Sequence, residues 1–100
     1  MIAIEIRING ELKATCGTDD VFNVAAMVSA RRPKREAGTH SYVVECMGVR
    51  PKNPSTDEVL KWLNTHISLG DEVTLRVVEV AKANEPIDRQ PIPSNAPSDN

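Results

Sequence analysis

Ile2, Ile4, Ile6 and Ile8 alternate with Ala3, Glu5, Arg7 and Asn9, so the chain opens on a strand with one apolar face. Leu12, Ala14 and Cys16 carry the same even phase past Asn9-Gly10, the dipeptide that most strongly marks a hairpin. A two-residue turn there would set Ile8 against Glu11 and Ile6 against Lys13, mixing isoleucines with charges on one face. A three-residue loop over Ile8, Asn9 and Gly10 instead pairs Arg7 with Glu11, Ile6 with Leu12 and Ile4 with Ala14. Gly10 then supplies the positive φ of a bulge. The apolar pattern predicts this three-residue, bulged hairpin.

Further along, Val21–Ala30 (VFNVAAMVSA) fits two periods. As a strand it gathers Phe22, Val24, Ala26, Val28 and Ala30 on one face. As a helix it would be capped by Thr18 or Asp19 and closed by two arginines. The strand is the reading adopted, because it feeds directly into the next strand, His40–Val49, which carries Tyr42, Val44 and Cys46 on one face. Arg50–Pro54 breaks the pattern. Ser55 three residues before Glu58 then reads as a capping box, with Asp57 in the first turn and Val59, Leu60, Leu63 and Ile67 as an apolar stripe flanked by Trp62. These positions predict a helix that stops before Gly70. Asp71–Val80 is a strand with Val73, Leu75 and Val77 on one face and Val78 and Val80 on the other, the pattern of a strand inside the sheet or one whose far end is covered.

The element order is therefore β-β-β-β-α-β. It predicts an α+β fold, a small and mostly antiparallel sheet with one helix packed on a face. From Lys82 onward periodicity is lost and Pro86, Pro91, Pro93 and Pro97 accumulate. The expected organisation is one domain over residues 1–82 and a flexible, proline-rich tail over 83–100.

The stretch Ile6–Glu11 (IRINGE) is similar to the first hairpin of β-grasp, ubiquitin-like proteins, including small sulfur carriers. The resemblance covers about a sixth of the chain. It implies a helix after the hairpin, and hence the alternative in which Val21–Ala30 is helical and the fold is β-grasp-like. The carriers of that family act through a C-terminal Gly-Gly. This chain ends in Ser98, Asp99 and Asn100, so carrier chemistry is not expected of it.

Composition narrows the function more than it identifies it. A formal net charge of −2 is that of neither a strongly basic nucleic-acid binder nor an acidic tail protein. No apolar run approaches membrane-spanning length and no charged-then-apolar leader is present, so a cytoplasmic protein with no membrane partner is expected. Cys16 and Cys46 fit that compartment as free, inward-facing thiols. A metal would have to draw on His40 and His66 from distant segments without any recognised ligand spacing. Paired carboxylates, a nucleophile elbow and a phosphate-cradling glycine loop are all missing from the sequence. No catalytic residues, metal or cofactor are expected.

What remains is the basic loop. Arg31, Arg32, Lys34 and Arg35 place four cations in five residues on a segment that no apolar period constrains. They are the candidate partner contact. The expected function is that of a non-catalytic binding or interaction module, an accessory, inhibitor or immunity-type protein, acting on another protein with an acidic surface. The alternative is a nucleic-acid-binding accessory domain working through Arg31–Arg35, for which Phe22, Tyr42 and Trp62 supply few stacking platforms. A sheet edge also leaves room for a homodimer.

Overall fold

Seven strands make up the computed structural model, which describes residues 1–19, 23–32 and 40–93. They are β1 (Ile2–Ile8), β2 (Glu11–Cys16), β3 (Asn23–Arg31), β4 (Ser41–Asn53), β5 (Thr56–His66), β6 (Val73–Glu79) and β7 (Asp88–Pro93). All neighbours are antiparallel, in a three-stranded sheet of order β2-β1-β6 and a four-stranded sheet of order β3-β4-β5-β7. β2 lies over β5 and β1 over β3, so the sheets form a two-layer sandwich. Its shortest dimension, 18 Å, matches two sheets about 10 Å apart with side chains on their outer faces.

The α+β expectation is overturned. Among the described residues there is no helix, and the segment predicted to be one, from Ser55 to Gly70, contains β5 instead. Two local features explain why. Asn53, Pro54 and Ser55 form a hairpin turn, in which Asn53 Oδ1 accepts hydrogen bonds from Ser55 N (3.0 Å) and Ser55 Oγ (3.1 Å). Asparagine before proline is the signature of such a turn, and the Ser55 hydroxyl that would have capped a helix is spent there. Second, Cys46 pairs with Leu63 and Met47 with Lys61, so Trp62 is the extra residue of a bulge. The bulge switches the inward phase from even to odd positions. Leu60, Trp62, Leu63 and Ile67 consequently all meet the core, and their spacing imitates a helical stripe.

The β-grasp alternative fails on the same ground, since Asn23–Arg31 is a strand. Residues 20–22, including Val21 and Phe22, lie outside the described residues.

The opening hairpin corrects a second expectation. Asn9 (φ 52°) and Gly10 (φ 83°) make a two-residue turn, and Ile8 pairs with Glu11. Both central residues at positive φ match the right-handed twist of the strands they join. The clash of faces is relieved one pair later. Arg7 pairs with Leu12 and Ile6 with Ala14, leaving Lys13 bulged out of the ladder. The apolar pattern does demand a bulge, but in β2 rather than in the turn.

The core is drawn from both sheets: Ile6, Ala14 and Cys16 from one, and Val44, Cys46, Leu60 and Trp62 from the other, each no more than 4% exposed. Gly48 makes room for the indole. A Cβ there would stand 3.1 Å from Trp62 Cζ3 and 2.8 Å from the backbone oxygen of Asn23, so only glycine fits without moving a strand.

One side of the sandwich is closed and the other is open. On the closed side the chain leaves β6, pairs Val80 with Met1 just before β1, and reaches β2. There the backbone N–H of Asn84 donates to Thr15 O (2.9 Å), and Asn84 Oδ1 accepts from the Thr15 N–H (2.6 Å). The Asn84 carbonyl accepts the indole N–H of Trp62 (2.9 Å), and Ile87 N–H donates to Lys61 O (2.7 Å) as β7 joins β5. Within the segment expected to be a tail, residues 83–93 thus form a strap and a strand that join the two sheets.

On the other side, β6 continues one strand past β1 while the facing sheet ends at β3. The apolar residues of β6 predict a strand inside the sheet or one covered at its far end, but β6 stands at the sheet's edge. Leu75 is 42% and Val77 72% exposed, although their cross-strand partners Ile6 and Ile4 belong to the core or pack against it.

Candidate functional site

Arg31 is the last residue of β3 and pairs with Ser41; Arg32 follows it, and both are exposed. Neither makes an ion pair among the described residues. Lys34 and Arg35, the other two members of the candidate contact, lie outside the described residues. Tyr42, paired with Ala30, stands at the same end of the sheet. Its ring stacks on that of His40, with centroids 6.4 Å apart and planes 13° from parallel. Strand periodicity explains the stack, since residues two apart share a face. Sequence reading noted both residues without joining them. The end of the β3–β4 pair therefore carries two exposed cations and two stacked rings, with Arg31, opposite Ser41, on the other face from Tyr42.

At the far end of β4 the basic residues are engaged. Arg50 pairs across the ladder with Glu58, whose side chain points into the sandwich and whose residue is 7% exposed. The guanidinium grips one carboxylate oxygen through Nη2 (2.7 Å) and Nε (2.9 Å), and Lys52 Nζ lies 4.0 Å from the other. Glu58, expected to complete a capping box, anchors a charged cluster inside the hairpin. This ion pair holds the fold; it leaves Glu58 no reach to an outside ligand.

Cys16 and Cys46 come from opposite sheets and meet in the core, both free and buried. A hydrogen bond between them, reinforced by burial, pushes the Cys16 thiol above the ordinary range, and the same bond draws Cys46 below it. The pair titrates as a unit, and its last proton is the harder to remove. No general base or cation adjoins the sulfurs in the core cluster, which is otherwise aliphatic and indole.

A further polar knot joins the hairpin turn to the β5–β6 loop. Asp71 accepts from Ser68 N (2.7 Å) and Asn9 Nδ2 (3.1 Å), and Asn9 Oδ1 accepts from Glu72 N (2.9 Å). The bond from the Ser68 amide, then that from Asn9, lowers the Asp71 carboxyl below its usual value.

Among the described residues no cluster of three or more His, Cys, Asp or Glu side chains is arranged to hold a metal, and no helix is long and apolar enough to cross a membrane. No family model matches the chain, and no curated protein or solved structure is similar to it.

Proposed function

We propose that this domain is a non-catalytic interaction module that docks an acidic surface of another protein at the β3–β4 tip. The observation that carries the reading is the contrast between the two ends of β4. Arg50 is bonded to a buried carboxylate that half-exposed Lys52 faces at 4.0 Å, whereas Arg31 and Arg32 are exposed and make no ion pair among the described residues. A rigid ladder brings these cations to the end of an edge strand, where a partner can meet both side chains and backbone. Reduced, buried thiols suit a cytoplasmic setting.

The stacked His40 and Tyr42, at the same end of the sheet as the arginines, favour one second reading, contact with single-stranded nucleic acid through cations and ring faces.

Replacing Arg31, Arg32, Lys34 and Arg35 together with glutamine tests both. The variant is expected to keep the wild-type unfolding curve and lose its partner in pull-downs from the source cell, with the largest loss at low ionic strength. Recovery of the same proteins by both forms would end the first reading. Binding of mixed DNA and RNA that falls steeply with salt, and vanishes in the variant, would establish the second in its place.

A further inference from the structure

We infer that β6 is a self-association edge, on which a second copy of this chain pairs through an antiparallel β6–β6 contact centred on Leu75. The inference does not depend on the contact proposed at Arg31 and Arg32, which lie at the end of β3.

The four sheet edges are not alike. β2 carries a bulge at Lys13 and is bonded by Asn84, and β7 contains Pro91 and Pro93. These are devices that stop a strand from pairing further. β3 ends in the two exposed arginines. β6 has no proline, and its register with β1 is unbroken from Ile2–Glu79 to Ile8–Val73. Among the described residues no strand covers its outer side.

Hydrogen-bond phase shows which of its backbone groups are open. Met1 and Val80 exchange backbone bonds (2.8 and 2.9 Å), and the N–H of Asn9 donates to Glu72 O (2.8 Å). Along an antiparallel pair, residues bonded to the neighbour alternate with residues that point away. Thr74, Arg76 and Val78 are therefore turned to β1, while Val73, Leu75 and Val77 direct their N–H and C=O groups outward. These are also the inward-facing apolar residues, of which Leu75 and Val77 are 42% and 72% exposed.

The two-fold register centred on Thr74 keeps only the Val73–Leu75 pairs within β6, about four backbone hydrogen bonds, and the one centred on Leu75 keeps more. Centred on Leu75, the register pairs Leu75 with itself and Val73 with Val77, all at outward-bonding positions, for about six backbone hydrogen bonds. On the opposite face it sets Arg76 against Thr74. Centred on Arg76, the arginines would stand directly opposed. Centred on Val77, Leu75 would face Glu79.

The axis of such a pair is perpendicular to the sheet, so the inward faces of both copies lie on the same side. Leu75 (42% exposed) of one copy then meets Leu75 of the other, and Val77 (72%) meets Val73, so the exposed apolar side chains of each edge cover those of its twin.

The test is analytical ultracentrifugation of the full chain across micromolar to near-millimolar concentrations. Wild type is expected to shift from monomer to dimer with concentration. Val77→Lys puts an inward charge on the edge at an exposed site and is expected to raise the dimer dissociation constant about tenfold or more, with an unchanged unfolding curve. Thr74, which faces away from the core, gives a second probe should Val77→Lys fold poorly. Thr74→Glu is expected to tighten the dimer by facing Arg76 of the second copy, an effect that salt removes, and Thr74→Lys to loosen it. Wild type that stays monomeric throughout would overturn the inference. So would a dimer that neither Val77→Lys nor the Thr74 variants alter.

Discussion

Ending the chain at Lys82 should cost most of its stability. The truncation removes Asn84, and with it three bonds that join the sheets on the closed side: two with Thr15 and one from the indole of Trp62. Trp62 is 3% exposed with the strap in place, so the cut removes both the acceptor of its N–H and part of the cover over the indole. The same cut deletes β7 and bares the edge of β5, the strand that carries Leu60 and Trp62. A loss of about 3 kcal/mol or more is expected, a large fraction of the roughly 5–15 kcal/mol typical of a domain. At about 4–8 °C per kcal/mol for this size, the midpoint should fall by more than ten degrees or the transition vanish. Thermal unfolding followed by tryptophan fluorescence would show it. An unchanged midpoint would mean that the strap carries no energy. Asn84→Ala, which keeps both of its backbone bonds, should cost about 1–2 kcal/mol.

The second large effect is expected at Arg50. Its guanidinium makes two short contacts to one oxygen of Glu58, a carboxylate that the hairpin register holds inside the sandwich. Arg50→Ala leaves that charge buried with Lys52, at 4.0 Å, as its remaining ion-pair partner among the described residues. Breaking a buried pair from one side typically costs about 3–5 kcal/mol, and the remaining lysine should hold the loss to about 2–4. Replacing both partners with apolar residues, Arg50→Met with Glu58→Leu, should recover much of the loss, because no uncompensated charge remains. Chemical denaturation of the two single variants and the double variant closes the cycle. Equal losses in the Arg50→Ala and double variants would show that packing, not charge, is at stake.

Several elements were legible in the sequence because they rest on a strict period of two. The isoleucine alternation of β1, the strand at Asn23–Arg31 and the inward phase of Cys16, Val44 and Cys46 follow from which residues avoid water. The helix expectation failed where that period is interrupted. A bulge at Trp62 moves the inward face by one residue, and a one-residue shift in a strand looks like the start of a 3.6-residue period. Asn53-Pro54 before Ser55 was the available signal against a helix, since it spells a turn that the capping-box reading overlooked. The hairpin register failed similarly. The pattern demanded an extra residue, and nothing local assigned it to Lys13 rather than to the turn.

The contact residues were less legible. Charge density alone picked out Arg31 and Arg32, and the structure adds what spacing did not show, their place at the end of an edge strand beside the stacked His40 and Tyr42. The Arg50–Glu58 pair and the meeting of the two thiols depend on strand and sheet neighbours far apart in sequence. So does the exposure of Val77, on a strand that local periodicity placed inside the sheet or covered at its far end. In each case the missing information was tertiary.

The claim beneath these readings is that the sandwich is sealed by Asn84 on one side and offers bare strand edges on the other. Amide hydrogen exchange resolved by residue, at a dilution where the protein sediments as a monomer, tests it most directly. Slow exchange is expected at Thr15, bonded to Asn84, and at Thr74, Arg76 and Val78, which face β1. Fast exchange is expected at Val73, Leu75 and Val77, so that protection alternates along β6. Uniform protection from Val73 to Val78 under those conditions would contradict the account, because the edge would then already be covered.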